Sequence, residues 1–422
     1  MQVAFQTLGC RLNEAETEAW SRQFRAAGAR VVPADRADVV VLNTCAVTGE
    51  AARKSRQWIR RLRRANPDAR LVVSGCYASL RPEQVARELG VDLVVPNRDK
   101  DRLVELARQL LPAPATAAHE APVFTRSRQR AFVKVQDGCR HRCTFCIVTV
   151  ARGEERSRPV DEVVAEIQAL RREGVQEAVL SGIHLGGYGS DLGSSLTALL
   201  RAVLERTDLP RLRLGSLEPW ELGEDFFALF RDPRLMPHLH LPLQSGSDAV
   251  LKRMARRCRV ADFRTLALTA RRHRPDLVLT TDIIVGFPGE TEADFQQTLA
   301  LVEEIGFAHV HIFPYSPREG TAAAAFPHQV DEKTKKDRSR RLHRLAATLR
   351  HQVLEAWVGK TAAVLWERGE WHDGRRWFSG YTPHYLRVQM PAPEGTDLSN
   401  RIQTVRLAAV APEGDRLVAE PV

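Results

Sequence analysis

Twice along this chain, short apolar runs alternate with longer polar stretches of helical period, a pattern that admits little besides parallel sheets covered by helices. In the first part the strand-like runs are Val3 to Leu8, Ala29 to Val32, Val39 to Leu42, Leu71 to Val73 and Asp92 to Val95. Helical patterns such as Glu14 to Ala27 and Glu50 to Ala65 separate them. The Ala- and Pro-rich stretch Leu111 to Thr125 has no amphipathic period and reads as a linker. A second alternation follows, with strand-like runs Phe132 to Gln136, Ala178 to Gly182, Leu212 to Ser216, His238 to Leu243, Val278 to Val285 and His309 to Pro314. Helical stretches such as Val160 to Glu173 and Asp262 to Arg274 lie between most of them, so the second region reads as an incomplete βα barrel of six units, short of the closed eight.

After a basic helical segment, Asp331 to Val358, the texture changes. Thr361 to Val422 carries the runs AAVLW, YLRVQM, TVRLAAV and RLVAEPV, with Gly and Pro turns and no good helix. This pattern predicts a small antiparallel barrel of the oligonucleotide-binding type. The α/β chain therefore divides into a parallel-sheet domain (1–112), a linker (113–127), a partial barrel core (128–355) and a C-terminal β-barrel (356–422). A length of 422 residues is consistent with several cores. No run of 18 apolar residues occurs and the N-terminus lacks a secretory pattern, so a cytoplasmic protein without membrane contact is expected.

The seven cysteines are odd in number, which in a reducing compartment argues for metal or redox chemistry over a disulfide framework. Cys139, Cys143 and Cys146 form a CxxxCxxC directly after the first barrel strand. Three thiolates so close together can surround one corner of an inorganic cluster and leave a fourth iron open to a substrate or cofactor. Structural zinc is the competing reading, but it wants a fourth ligand, and His141 is badly placed inside the short loop. Cys10, Cys45 and Cys76 each lie just past the carboxyl end of a predicted strand, the edge where parallel sheets gather ligands. Three separately buried cysteines would be the ordinary alternative. Their shared placement favours a second three-cysteine iron–sulfur site. Cys258, in an Arg-rich helical stretch, reads as structural.

Lys and Arg outnumber Asp and Glu by 62 to 52, which tilts the expected partner towards a polyanion such as nucleic acid. Two basic stretches stand out: Arg53 to Arg64, just after Cys45, and Lys333 to Arg350. A solvated helix face is the usual meaning of such runs, but both border predicted functional edges, which favours contact with nucleic acid. Along HLHLPLQ, strand alternation turns Leu239, Leu241 and Leu243 onto the helices and His238, His240, Pro242 and Gln244 inward; Asp282, Ile284 and Gly286 share one face.

On these residues and the motifs around them, the chain resembles the methylthiotransferases of the radical S-adenosylmethionine (SAM) superfamily almost end to end. The resemblance is carried by TLGCRLNEAET, LNTCAVT, KSRQWIRR, VVSGCYA, the CxxxCxxC loop, ARGEERSRP, SGIHLGGYG, SLEPW, HLHLPLQSGSDAVLKRM, TTDIIVGFPGET and HIFPYSPREGT. The first motif, SGIHLGGYG and GYTPHYLRV look most like the branch acting on threonylcarbamoyladenosine next to the anticodon of tRNA. Other branches modify isopentenyladenosine in tRNA or an aspartate of a ribosomal protein.

The resemblance implies that Cys139, Cys143 and Cys146 hold a 4Fe-4S cluster that binds and cleaves SAM. It implies likewise that Cys10, Cys45 and Cys76 hold an auxiliary 4Fe-4S cluster carrying the sulfur. A 5'-deoxyadenosyl radical then takes hydrogen from carbon 2 of the adenine, an inert position that no side-chain acid or base here would activate. Ser181, Gly182, Gln244, Asp282 and Gly286 are expected along SAM. The C-terminal segment resembles the TRAM module, whose aromatics (Trp357, Trp366, Trp371, Trp377, Tyr381, Tyr385) are expected to stack on bases, some of the tryptophans filling the barrel core instead, while Arg375, Arg376 and Arg387 meet phosphates; Arg53, Arg56 and Arg60 are a second tRNA contact. An electron donor such as flavodoxin or ferredoxin and a sulfur donor complete the expected partners. One departure stands in the cluster loop: many relatives have an Ile-Pro-Tyr type sequence after the CxxC, where this chain has Ile147-Val148-Thr149-Val150 and a different backbone path is expected. A non-catalytic RNA-binding iron–sulfur protein is the reading from another class.

Overall fold

A computed structural model describes residues 1–110, 129–372, 374–392 and 395–422. The predicted linker lies outside the described residues. The chain divides into two compact units. The first gathers the N-terminal part with residues 136–156 and 316–324; the second holds 157–315 and 325–422 together with the strand before residue 136.

The first unit is built on a parallel sheet of β1 (Gln2–Thr7), β2 (Arg30–Val31), β3 (Val39–Thr44), β4 (Arg70–Gly75) and β5 (Leu93–Val95), in the order β2-β1-β3-β4-β5. Strand β3 is buried along its whole length, as a central strand covered on both faces must be. Its side chains alternate accordingly. Val40 and Leu42 join Ile59, Leu62 and Val85 in one core, whereas Val39 and Val41 join Trp20, Phe24 and Leu103 in the other.

In the second unit, β6 (Arg130–Lys134), β9 (Glu177–Ser181) and β10 (Arg211–Leu214) form one parallel sheet, and β11 (His238–His240), β12 (Val278–Val285) and β13 (His309–Pro314) another. The short strands β7 (Gln136–Asp137) and β8 (Arg156–Ser157) come between β6 and β9 in the chain and flank the CxxxCxxC loop. Parallel bridges at Leu212–Leu235 and Ser216–His240 link the two three-stranded sheets, so the six predicted strands follow in chain order. Leu239, Leu241 and Leu243 enter the core as alternation predicted. The inward His238 and His240 both share the Thr280 hydroxyl, at 3.1 and 2.9 Å, and are hydrogen-bonded interior residues.

The C-terminal segment closes into a barrel of β14 (Thr361–His372), β15 (Arg375–Tyr381), β16 (Arg387–Pro391), β17 (Ile402–Val410) and β18 (Leu417–Pro421), ordered β14-β15-β16-β18-β17. Strand β15 was not among the predicted runs, because only Phe378 and Gly380 of RRWFSGY face the core. This barrel is seated on the amino ends of the half-barrel strands. Glu177, fully buried, pairs with Arg213 at 2.9 Å and Arg211 at 3.6 Å. Arg130 lies over the Tyr381 ring at 4.4 Å and Arg213 over Tyr385 at 4.7 Å. His384 reaches Asp276 at 2.8 Å. The motif GYTPHYLRV thus serves docking. Among the described residues, no helix is long and apolar enough to cross a membrane.

Candidate functional site: two cysteine triads in one unit

Pairing in the first unit aligns Thr7 with Asn43 and Thr44 with Gly75. Cys45 and Cys76 directly follow β3 and β4, and Cys10 follows the end of β1 as the cap of the helix Arg11–Ala26. The positive end of that helix dipole therefore lies at Cys10. Strands β1 and β3 also flank the point where strand order reverses, the ligand crevice of doubly wound sheets. Gly9 makes the approach possible. Its φ is +105°, and a Cβ there would fall 2.6 Å from Cys45 Cβ and 2.9 Å from the Cys45 sulfur.

Burial, aided by Cys76 and Cys10 and opposed by a backbone hydrogen bond from Val47 and by Arg152, pushes the Cys45 thiol up to about 11. Three sulfurs that repel one another as thiolates need a cation to hold them together. The donor set therefore fits a polynuclear iron group better than three independent buried thiols. Carboxamides surround it. Asn13 Nδ2 donates to Leu8 O at 2.7 Å and Thr44 O at 3.1 Å, and its Oδ1 accepts from the Cys10 thiol at 3.7 Å. Asn97 Nδ2 donates to the Cys76 sulfur at 3.8 Å. Arg318, from the PYSPREGT motif, lies in electrostatic range of Cys45, Arg56 and Arg81; burial lowers its pKa, and Cys45 counters that.

The second triad sits in the loop between β7 and β8. Gly138, φ +74°, admits Glu154 O to 1.9 Å of where its Cβ would be, so the loop closes on itself. Cys139 N donates to Gly153 O at 3.1 Å and Cys146 N to Cys143 O at 3.0 Å. His141 N donates to the Cys139 sulfur at 3.4 Å, the kind of interaction that supports a thiolate ligand. The departure from the Ile-Pro-Tyr pattern falls on a short helix, Val148–Arg152. Val148 is its first residue, a position that proline fits equally well, so the backbone has no need of a different path.

The residues expected along SAM are in the second unit. Ser181 is buried at the end of β9, with Gly182 next. Gln244 holds a left-handed φ of 73°, its N–H donating to Asp282 O at 2.8 Å. Asp282 pairs with His240 at 3.2 Å, and His311 joins them in a group whose potential ligand atoms lie within 4.8 Å of one another. The space beside Gly286 is taken by Lys335, whose Cγ lies 2.4 Å from where a Cβ would be, so packing already accounts for that glycine.

The arginines divide by face. On the helix Gly49–Ala65, Ala52, Ser55, Ile59 and Leu62 are buried, Arg53 and Arg60 are exposed and Arg56 is half-buried over Tyr77. Arg63 of the same run pairs with Asp92 at 2.6 Å and is structural. Within Lys333 to Arg350, Lys335 and Arg338 are buried, and Arg341 pairs with Glu292 at 2.6 Å. Arg375 and Arg387 are exposed; Arg376 stacks on Phe378 at 4.8 Å. The expected aromatic platform is corrected most. Tyr381 and Tyr385 are packed against Arg130 and Arg213, Trp366 is in the core, and Trp371 is 68% exposed opposite Arg376 near the β14–β15 turn.

Residues 2–96 match the model of Uncharacterized protein family UPF0004, and residues 133–302 that of the Radical SAM superfamily. The chain is 37% identical to the threonylcarbamoyladenosine tRNA methylthiotransferase MtaB of Thermotoga maritima, covering 98% of this chain and 95% of the relative. The protein of the same name from Bacillus subtilis is also 37% identical, over 96% and 93%. A tRNA-2-methylthio-N(6)-dimethylallyladenosine synthase of Methylacidiphilum infernorum is 36% identical, over 93% and 89%. Among solved structures, the radical SAM methyltransferase TsrM of Kitasatospora setae aligns with a TM-score of 0.58 at 15% identity, covering 76% of this chain and 77% of that one, a likeness of fold.

Proposed function

Since the chain belongs to the radical SAM methylthiotransferases, transferases that use SAM and 4Fe-4S clusters on tRNA, we propose that it methylthiolates carbon 2 of threonylcarbamoyladenosine next to the anticodon. The observation that carries this is the gathering of two cysteine triads in one compact unit, one at the switch-point edge of a sheet and one in a tight loop. Cys139, Cys143 and Cys146 would hold the cluster that supplies the radical from SAM, and Cys10, Cys45 and Cys76 the one that supplies sulfur.

The chain's own residues do the rest. Ser55 fixes the Cys45 backbone, Asn13 and Asn97 reach two of the sulfurs, and the helix Gly49–Ala65 presents Arg53 and Arg60 outward to meet phosphates. On the C-terminal barrel, the exposed Trp371 and Arg375 at the tip of the β14–β15 hairpin and the exposed Arg387 at the other end of β15 are further tRNA contacts. Ser181, Gly182, Gln244 and Asp282 line the path for SAM. A flavodoxin- or ferredoxin-like electron donor and a separate sulfur donor serve the enzyme in the cytoplasm.

Nucleoside mass spectrometry of tRNA from a deletion strain tests the substrate. The proposal expects loss of 2-methylthio-threonylcarbamoyladenosine and its return on complementation. Loss of the isopentenyl analogue alone would favour the second reading, which the Methylacidiphilum relative supports.

A further inference from the structure

Beside Cys10 and Cys76 in the first unit lies a buried cation, Arg152. Arg152 ends the helix Val148–Arg152 and its side chain is fully buried. Its Nη1 pairs with Glu16 Oε1 and Asp137 Oδ1, both at 2.9 Å, and its Nη2 donates to Asn13 Oδ1 at 2.7 Å. That same Asn13 oxygen is the acceptor for the Cys10 thiol. One residue earlier, Ala151 O accepts from Asn97 Nδ2 at 2.7 Å, and Asn97 Nδ2 also reaches the Cys76 sulfur. Two adjacent residues that follow the loop of one triad therefore reach two sulfurs of the other, each through a single carboxamide.

The charges here are nearly balanced. Lys100 Nζ meets Glu16 Oε1 at 2.7 Å, so Lys100 and Arg152 offset Glu16 and Asp137 and leave any thiolates as the surplus. Burial works against the Arg152 charge, but Glu16, Cys76, Asp137 and Cys10 keep it protonated. Its Nε has no hydrogen-bond partner among the described residues. Asn13 Oδ1 is shared by the Cys10 thiol and the Arg152 guanidinium, which puts the cation one shared acceptor away from the sulfur. Arg152, Glu16 and Asp137 are buried, so the Arg152 charge is little screened. Adding an electron to a cluster adds negative charge, which a nearby cation stabilises.

We propose that Arg152 is a positioning residue that ties the two cluster sites together and raises the reduction potential of the cluster held by Cys10, Cys45 and Cys76. The inference rests on the two-cluster reading above. It is tested by potentiometric titration, followed by electron paramagnetic resonance, of reconstituted full-length protein, with Cys45→Ala and Cys143→Ala assigning the two signals. Arg152→Met is expected to move the auxiliary midpoint to a more negative potential at unchanged iron content, and Arg152→Lys to return it towards wild type. If Arg152→Met fails to fold or to load iron, Glu16→Gln gives the opposite sign: removing the counter-charge moves the midpoint positive. An unmoved midpoint in loaded Arg152→Met, an equal shift in Arg152→Lys, or no rise in Glu16→Gln overturns the proposal. Wild-type protein with iron for only one cluster removes the two-cluster reading instead, and the iron count distinguishes that result.

Discussion

Ser55 Oγ donates to Cys45 O at 2.9 Å and accepts from Cys45 N at 3.2 Å, so one hydroxyl clamps the backbone of a candidate iron ligand. Ser55 faces inward on the helix whose outer face carries Arg53 and Arg60. On the proposed function, holding the ligand and meeting tRNA fall to opposite faces. Ser55→Ala should cost about 1–3 kcal/mol of stability and lower iron retention, while tRNA affinity measured on loaded protein stays near wild type. Arg53→Ala with Arg60→Ala should leave iron unchanged, weaken tRNA binding and flatten the salt dependence by about 0.7–0.9 for each phosphate the protein no longer neutralises. A steep, unchanged salt slope in the double variant would remove this face from the interface.

Gly9→Ala places a Cβ against the Cys45 side chain on a backbone with left-handed φ. The expected result is loss of one cluster, with iron falling from about eight to about four per chain. Full iron in this variant would mean that the close approach of Gly9 to Cys45 is not needed for the site.

Glu177 is the buried anion among Arg130, Arg211 and Arg213, at the seat of the C-terminal barrel. Glu177→Ala leaves Arg211 and Arg213 uncompensated, while Arg130 keeps Glu367 at 3.1 Å, and should cost about 3–5 kcal/mol. Limited proteolysis should then cut near residues 356–360 faster than in wild type, because the docking of Tyr381 and Tyr385 on the arginines weakens.

His309 is held down to about 4 by burial first, then by His311, Arg350 and His240. A depressed folded pKa on a base means that its contribution to stability is complete above the ordinary value of 6.5 and is lost as pH falls towards 4. Chemical denaturation between these two pH values should show stability falling with acid, by up to about 3 kcal/mol from this group. His309→Gln should flatten that slope; an identical slope would assign it to other groups.

The placement of Cys10, Cys45 and Cys76 past the carboxyl ends of strands was legible because each follows an apolar run, as Cys45 follows DVVVLNT. Their supporting residues were not. Asn13 and Arg152 are far apart in sequence, and no periodicity links them, although each lies in a motif, TLGCRLNEAET and ARGEERSRP, that the resemblance had marked. The C-terminal aromatics misled for another reason. Composition places Tyr381 and Tyr385 in an RNA-binding module, but only packing shows that they face the half-barrel arginines. The arginine runs were legible as runs and not as roles, since Arg63 pairs with Asp92 while Arg60, three residues earlier, is exposed.

The most direct measurement of the central claim is a single anaerobic assay with reconstituted protein, dithionite, SAM and tRNA bearing threonylcarbamoyladenosine, scored for both 5'-deoxyadenosine and the 2-methylthio nucleoside. Wild type should make both products and Cys143→Ala neither. Cys45→Ala should still make 5'-deoxyadenosine but no methylthio nucleoside. A wild type that makes neither product, or a Cys45→Ala enzyme that methylthiolates tRNA as well as wild type, would contradict the account.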